Sequence, residues 1–416
     1  MGSGSSKARR WVIASVILVL TIAVVAVGAF HLALRPPISD TQIEEITTRL
    51  EALAHREPIP AGQDVTTPIQ NIIADMRKAL AAWEVENEDT LVDLANAPTS
   101  RAGDLVWEGL ESTFEPVIEG LGKLPPRGRI PRYDINLPRP IRIQEVQEIT
   151  KVVQALGQSY ALHDRQAKLV PLANRFLSLV VVREDDTLIG ALVASRVVLD
   201  AVPLMAEGIP LATKAQLLRA QDQLRHASVS IAEFDRAIAQ EAVGTVKTIR
   251  MAVADPTIVD YIDTPASIHQ TAAYLKFQLA LTAKRWNEFF DLPRSDWNAL
   301  ATATDLFARE IRRENDDWRT GLANSVWVEF SSIVRTLAEQ QATTVALRVA
   351  VAAELHRREH GSYPSDLASL DRFIDPTHGW ITGPEAITIE STARRCRVAL
   401  SAPNTPATGV VLEAPE

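Results

Sequence analysis

The stretch Ala353-Glu354-Leu355-His356-Arg357-Arg358-Glu359-His360-Gly361-Ser362-Tyr363-Pro364 divides the chain into two kinds of structure. Upstream, Asp316 to His360 holds no proline, and Gly321 is its natural break. Basic side chains at the end of that stretch complement the negative end of a helix dipole, and Gly361 suits the left-handed position that ends a helix. Downstream, the periodicity becomes two. Ile387 and Ile389 alternate with Thr388 and Glu390; Cys396, Val398 and Leu400 alternate with Arg397 and Ala399; Val410 and Leu412 form a third run. Pro403-Asn404-Thr405-Pro406 punctuates the last two, so residues 361–416 are expected to hold a small three-stranded antiparallel sheet.

Moving back toward the N-terminus, residues 141–360 keep the helical period. Val146, Ile149, Val153 and Leu156 share one stripe; His163-Asp164 marks a turn; Leu169, Leu172, Phe176 and Leu179 make the next stripe. Further helices are expected near 212–227, 231–253, 267–290 and 296–313. Leu188 to Leu199 is apolar enough to invite a membrane reading. Arg196 and Asp200, four apart on one face, interrupt it below spanning length, so a buried core helix is expected. No strict repeat period accompanies these helices, which makes the body an α-helical bundle or irregular solenoid.

Five prolines lie between Pro125 and Pro140. Proline fixes φ and removes a donor, so 125–140 reads as an extended connector rather than a helix or central strand. Its Ile130, Ile135 and Leu137 are expected to pack along the body. Residues 35–124 before it are membrane-proximal helices. Ser39-Asp40-Thr41-Gln42 reads as a capping box, with Ile43, Ile46, Leu50 and Leu53 on one face and Pro58 and Pro60 to end the helix. Two more helical stretches follow at about 68–94, with Ile69, Ile72, Ile73, Met76 and Leu80 as its stripe, and at about 101–120.

At the far end of the chain, Trp11 to Leu34 is polar only at Ser15, Thr21 and His31. It exceeds the roughly 20 residues that span a bilayer core. Lys7, Arg9 and Arg10 stand in the tail 1–10, whereas Arg35 is followed by Asp40, Glu44 and Glu45. That bias predicts a single-pass helix at 11–34 in the bacterial cytoplasmic (inner) membrane, with the N-terminus inside and the body outside the cytoplasm. The competing reading is a cleaved signal, with Val27-Gly28-Ala29 as the small-residue site. The apolar run is longer than the about 7–15 residues of a signal core, which favours the uncleaved anchor.

The chain has 416 residues, a net charge of −9 and 46% hydrophobic residues, ample for a core and too many for disorder. An acidic exterior argues against nucleic acid, whose binding is dominated by cationic contacts with phosphates. The single cysteine, Cys396, excludes an internal disulfide, so the body must hold together by burial. The tryptophans beyond the anchor are expected to fill the helical core.

One catalytic pattern is present. His356-Arg357-Arg358-Glu359-His360 fits the H-x-x-E-H signature of a class of zinc peptidases. Histidines at i and i+4 share a helix face, and zinc hydrolysis needs two such imidazoles with a carboxylate base, here Glu359. A third ligand would have to come from Glu385, Glu390 or elsewhere. Against zinc, the helix stops at its second ligand. No G-x-S-x-G elbow or phosphate loop is present, and no cofactor is expected.

The same stretch carries a family resemblance. His360-Gly361-Ser362-Tyr363-Pro364, with Leu367 and Leu370, resembles the helix-to-head junction of type II secretion pseudopilins. There a long helix ends in a polar residue, Gly, any residue, Tyr and Pro, and leucines fold back onto it before a short sheet. More closely, it resembles the tail of large uncharacterised bacterial membrane-anchored proteins that pair a helical body with this junction; Asp375-Pro376-Thr377-His378-Gly379 fits their Asp-Pro-x-x-Gly turn. The resemblance covers 345–416 well and the helical body more loosely. In pseudopilins the membrane helix runs straight into the head after a processed Phe-Thr-x-x-x-Glu start. Here residues 35–344 intervene and no such site precedes Trp11, so the junction reads as a reused folding unit.

The expectation is therefore a mainly α protein with an N-terminal transmembrane helix and a small C-terminal β tail. Its function is read as an envelope scaffold or protein-interaction body with an envelope protein as partner. The alternatives are an accessory component of a secretion or pilus-type system, and a zinc-dependent hydrolase using His356, Glu359 and His360.

Overall fold

A computed structural model of the chain describes residues 32–60, 62–87, 103–125, 128–130, 143–185, 188–227, 229–255, 272–314, 330–374, 387–400 and 408–414. The run 11–31 and the Asp375, Pro376 and Gly379 turn lie outside the described residues, as does most of the connector. The described chain is mostly helical with one small C-terminal sheet. It forms two compact units: residues 1–52, 242–291 and 307–328, and residues 53–241, 292–306 and 329–416.

The first unit is built on α1 (Asp40–Leu53), the second half of α8 (Ile231–Ala254), α9 (Ala272–Phe290) and the end of α10 (Trp297–Glu314). The capping box at Ser39 forms in both directions: the Gln42 amide donates to Ser39 Oγ at 3.3 Å, and the Ser39 amide to Gln42 Oε1 at 2.9 Å. The buried face of α1 is Ile43, Thr47 and Leu50. Leu53, expected inside, is exposed, because the helix ends at that residue rather than running on to Pro58. Ion pairs tie α1 to α8 (Glu44–Arg250, 2.9 Å; Glu51–Lys247, 2.8 Å) and to the end of α9 (Arg49–Asp291, 2.9 Å). Along α9, Trp286 and Phe289 are buried, and Phe289 packs on Phe307 with ring centroids 6.5 Å apart. Arg285 reaches over the Phe307 ring and bonds Glu288 and Glu314.

The second unit starts with α2 (Thr66–Asn87), packed against α3 (Gly103–Lys123). Ile69, Ile72, Ile73 and Met76 are buried as their spacing predicts, and Trp83 closes the stripe against Phe114. Residues 128–130 of the connector run beside residues 63–65: the Val65 amide donates to Arg129 O at 2.9 Å and the Arg129 amide to Gln63 O at 2.7 Å. Ile130 is buried. Next, α4 (Ile143–Leu162) buries Val146, Ile149, Val153 and Leu156. The expected turn follows at His163-Asp164, where Asp164 has φ 54°. Then come α5 (Leu169–Phe176) and a 3₁₀ segment (Leu177–Asp185), which buries Leu179.

Helix α6 (Leu188–Gly208) is the apolar helix whose membrane reading the sequence raised. Together with the 3₁₀ turn after it, it is long and apolar enough to cross a bilayer, and 56% of its most apolar window is buried inside the protein. It packs against α4, α5 and the helix α11 (Phe330–His360), as a core helix does. Its interrupting pair forms a two-pronged bridge, Arg196 Nε to Asp200 Oδ2 and Nη2 to Oδ1, both 2.9 Å. Burial raises the Asp200 carboxyl above its usual range and the Arg196 charge opposes it.

Two capping boxes set the next helices: Thr213 with Gln216 at α7 (Lys214–Ala227), and Ser230 with Glu233 at α8. At the start of α10, Asp296 caps the Ala299 amide at 2.8 Å. Trp297 donates to Val229 O at 3.1 Å and packs on Phe234. Helix α11 runs through the middle of the unit. Every residue from Gln340 to Leu355 is buried, so the helix is covered all round, including Gln340, Gln341, Thr343, Thr344, Arg348 and Glu354. Two of these groups meet backbone partners: Gln340 Nε2 donates to Ala227 O at 3.1 Å, and the Val229 amide donates to Gln341 Oε1 at 3.2 Å.

The C-terminal sheet has the predicted three antiparallel strands, β1 (Ile387–Ser391), β2 (Arg395–Leu400) and β3 (Thr408–Glu413), in that order. In register, Ile389 opposes Val398, and Val398 opposes Val410; Cys396 opposes Leu412. The inner residues Cys396, Val398, Leu400, Val410 and Leu412 are buried, and β2 and β3 pack on α11.

Candidate functional site

The densest polar cluster among the sequence-selected residues lies where α11 gives way to the sheet. Gly361 adopts φ +83°, and its amide donates to Arg357 O at 2.7 Å, the bond that closes a helix through a left-handed residue. The chain then reverses, and a 3₁₀ turn at Ala368–Leu370 lies back against α11. Leu370 is fully buried there, whereas Leu367 is only half-buried. Asp366 holds the turn by accepting from the Ser369 amide at 2.9 Å, and Ser391 Oγ donates to Pro364 O at 2.7 Å, tying β1 to the turn.

Among the described residues, and leaving out its own chain neighbours, no atom lies within 4 Å of where a Gly361 Cβ would be. A side chain there meets only backbone strain. Gly361→Val is therefore expected to cost about 1–2 kcal/mol through its positive φ alone. Gly361→Asn, which tolerates that region, should cost clearly less. Urea unfolding of the two variants checks this; equal losses would mean that something other than φ is being disturbed.

The centre of the junction is Glu354, whose side chain is fully buried. Arg357 donates to both of its oxygens, Nε at 2.8 Å and Nη2 at 2.7 Å. Arg358 Nε adds a bond at 2.7 Å, and Arg358 Nη2 donates to Pro210 O at 3.1 Å. The Tyr363 hydroxyl donates to Oε2 at 3.1 Å, and the Arg357 guanidinium lies 5.6 Å over the Tyr363 ring. Burial, with the Glu354 charge beside it, raises the Tyr363 hydroxyl above its usual range, so it stays a donor. The same two causes, burial first, push the Cys396 thiol up to about 11, which leaves it an inert core residue. The sequence assigned no role to Glu354. Its signal was there in the spacing, a glutamate followed by arginines at i+3 and i+4.

The histidines of the zinc pattern are brought together but are otherwise engaged. His356 and His360 have ring centroids 4.4 Å apart, and His356 packs edge-on to Phe373. His356 Nδ1 lies 3.0 Å from Ser362 O and must donate to it. Arg372 approaches His360 Nε2 at 3.4 Å and Glu359 at 3.2 Å. A guanidinium only donates, so it takes up the imidazole lone pair and the carboxylate that a metal would use. Glu390, a possible third ligand by sequence, pairs with Arg397 at 3.4 Å instead; Glu385 lies outside the described residues. Among the described residues no group of three His, Cys, Asp or Glu side chains is placed to hold a metal ion.

A second cluster that sequence reasoning passed over surrounds Glu111. It accepts from Tyr160 at 3.0 Å and from Arg165 and Lys168 at 2.6 Å each, and both cations also lie over the Tyr160 ring. Like the Glu354 cluster, it joins a helix to the turn that follows another, with its carboxylate occupied by protein donors. No family model, curated protein or solved structure matches the chain, so the residues alone carry the functional argument.

Proposed function

We propose that this is a single-pass envelope protein, anchored in the bacterial cytoplasmic membrane by residues 11–34, whose extracytoplasmic helical body is a scaffold that binds another envelope protein. The observation that carries the proposal is the apolar run Trp11–Leu34 with its flanking charge bias. The body supports it by its chemistry: Glu354 and Glu111, among the described residues the carboxylates with the most donor side chains around them, spend those contacts on joining helices to turns. The expected result is that the protein stays in the membrane fraction after an alkaline carbonate wash, with a C-terminal reporter active outside the cytoplasm. A soluble mature protein beginning near Phe30 would overturn the anchor.

A second reading, an accessory component of a secretion or pilus-type system, is favoured by the junction. Gly361 in the left-handed region, Tyr363 and the returned Leu370 ahead of a short sheet are the features its resemblance rests on. Affinity purification from detergent-solubilised membranes separates the two, since secretion-system components among the partners would select the second.

A further inference from the structure

We propose that the end of the first unit formed by Leu32–Leu34, the last turn of α8 and the first turns of α9 rests on the outer face of the lipid bilayer. That unit would then be held in a fixed orientation rather than swung on a tether. This rests on the anchor reading above and goes beyond it. Leu34, the last residue of the apolar run, is buried against Tyr274, Phe277 and Leu281 of α9. A residue so distant in sequence is thus clamped where the anchor leaves the membrane. Leu275, beside Tyr274, packs with Ala252 and Val253 at the end of α8. The ion pairs Glu44–Arg250 and Glu51–Lys247 set α8 antiparallel to α1, which brings the end of α8 to the same level as the start of α1.

Two large apolar side chains lie exposed at this end, Leu32 at 80% and Met251 at 54%. Leu32 continues the apolar run, and Met251 sits one residue before Ala252, so the occupant that continuity selects is lipid. An exposed methionine in contact with acyl chains loses the cost it carries in water.

The test uses the full chain, with Cys396→Ala to remove background labelling, in vesicles of phosphatidylcholine and phosphatidylglycerol. Single cysteines at Met251, Asp291 and Leu20 carry an environment-sensitive fluorophore, read with doxyl-labelled lipid as quencher. Asp291 is the control, roughly 25 Å along α9 from Tyr274 at 1.5 Å per residue. A shallow quencher should reduce the signal at position 251 at least about twofold more than at position 291, as contact with the interface requires. Quenching at position 20 without quenching at 251 overturns the docking proposal and leaves the anchor standing. Absence of quenching at both 20 and 251 overturns both. Equal quenching at 251 and 291 overturns the proposed orientation.

Discussion

Glu354→Ala is expected to destabilise the second unit by about 3 kcal/mol, since removing one partner of a buried ion pair costs roughly 3–5 kcal/mol. The lower end applies because Arg357 and Arg358 keep 20% and 28% of their side chains exposed and can turn to water. Part of that loss falls on Tyr363, whose buried hydroxyl would be left without its acceptor, a cost of about 1–3 kcal/mol. With a urea m value of about 1–3 kcal/mol/M, the midpoint should fall by about 1 M or more. Glu354→Gln keeps the shape and one acceptor oxygen, so its loss should be smaller. Tyr363→Phe combined with Glu354→Ala should cost less than the two single changes added, because they share a bond. A midpoint for Glu354→Ala within error of the parent chain would show that this cluster does not hold the helix to the turn that follows it.

The second large effect is expected at Leu370. Its side chain is fully buried where the 3₁₀ turn returns to α11, and Leu→Ala at such a site costs about 2–5 kcal/mol through lost burial and the cavity left behind. Leu367→Ala should cost less, since that side chain is only half-buried. His360→Ala should cost least of the three: it is exposed at the helix end, and its polar contact with Arg372 is long, at 3.4 Å. The order Leu370, Leu367, His360 in urea midpoints is the result to look for. A loss at His360 as large as that at Leu370 would return a ligand role to the histidine pair.

Much of the described architecture was legible because its signals are local. The Ser39–Gln42 box needs only four residues, the α2 and α4 stripes only a period of 3.6, and the strands only alternation. Gly361 announced its positive φ because few other residues tolerate it. The errors are local in a different sense. Leu53 was placed inside because its spacing fits, but a helix that ends at that residue has no next turn to bury it.

The sequence by itself determined the secondary structure of the junction, the antiparallel tail and the separation of an apolar N-terminal run from an acidic body. These follow from dihedral preferences and from the period at which apolar residues recur. Only the tertiary structure decided which helix lies at the centre. Helix α11 carries Gln340, Gln341, Thr343, Thr344, Arg348 and Glu354, and no amphipathic stripe marks it for burial on all sides. Burying a polar side chain costs free energy unless a partner offsets it. The partners of this helix, Ala227 O, the Val229 amide, Tyr363 and the sheet that covers it, come from parts of the chain that a local pattern cannot bring together.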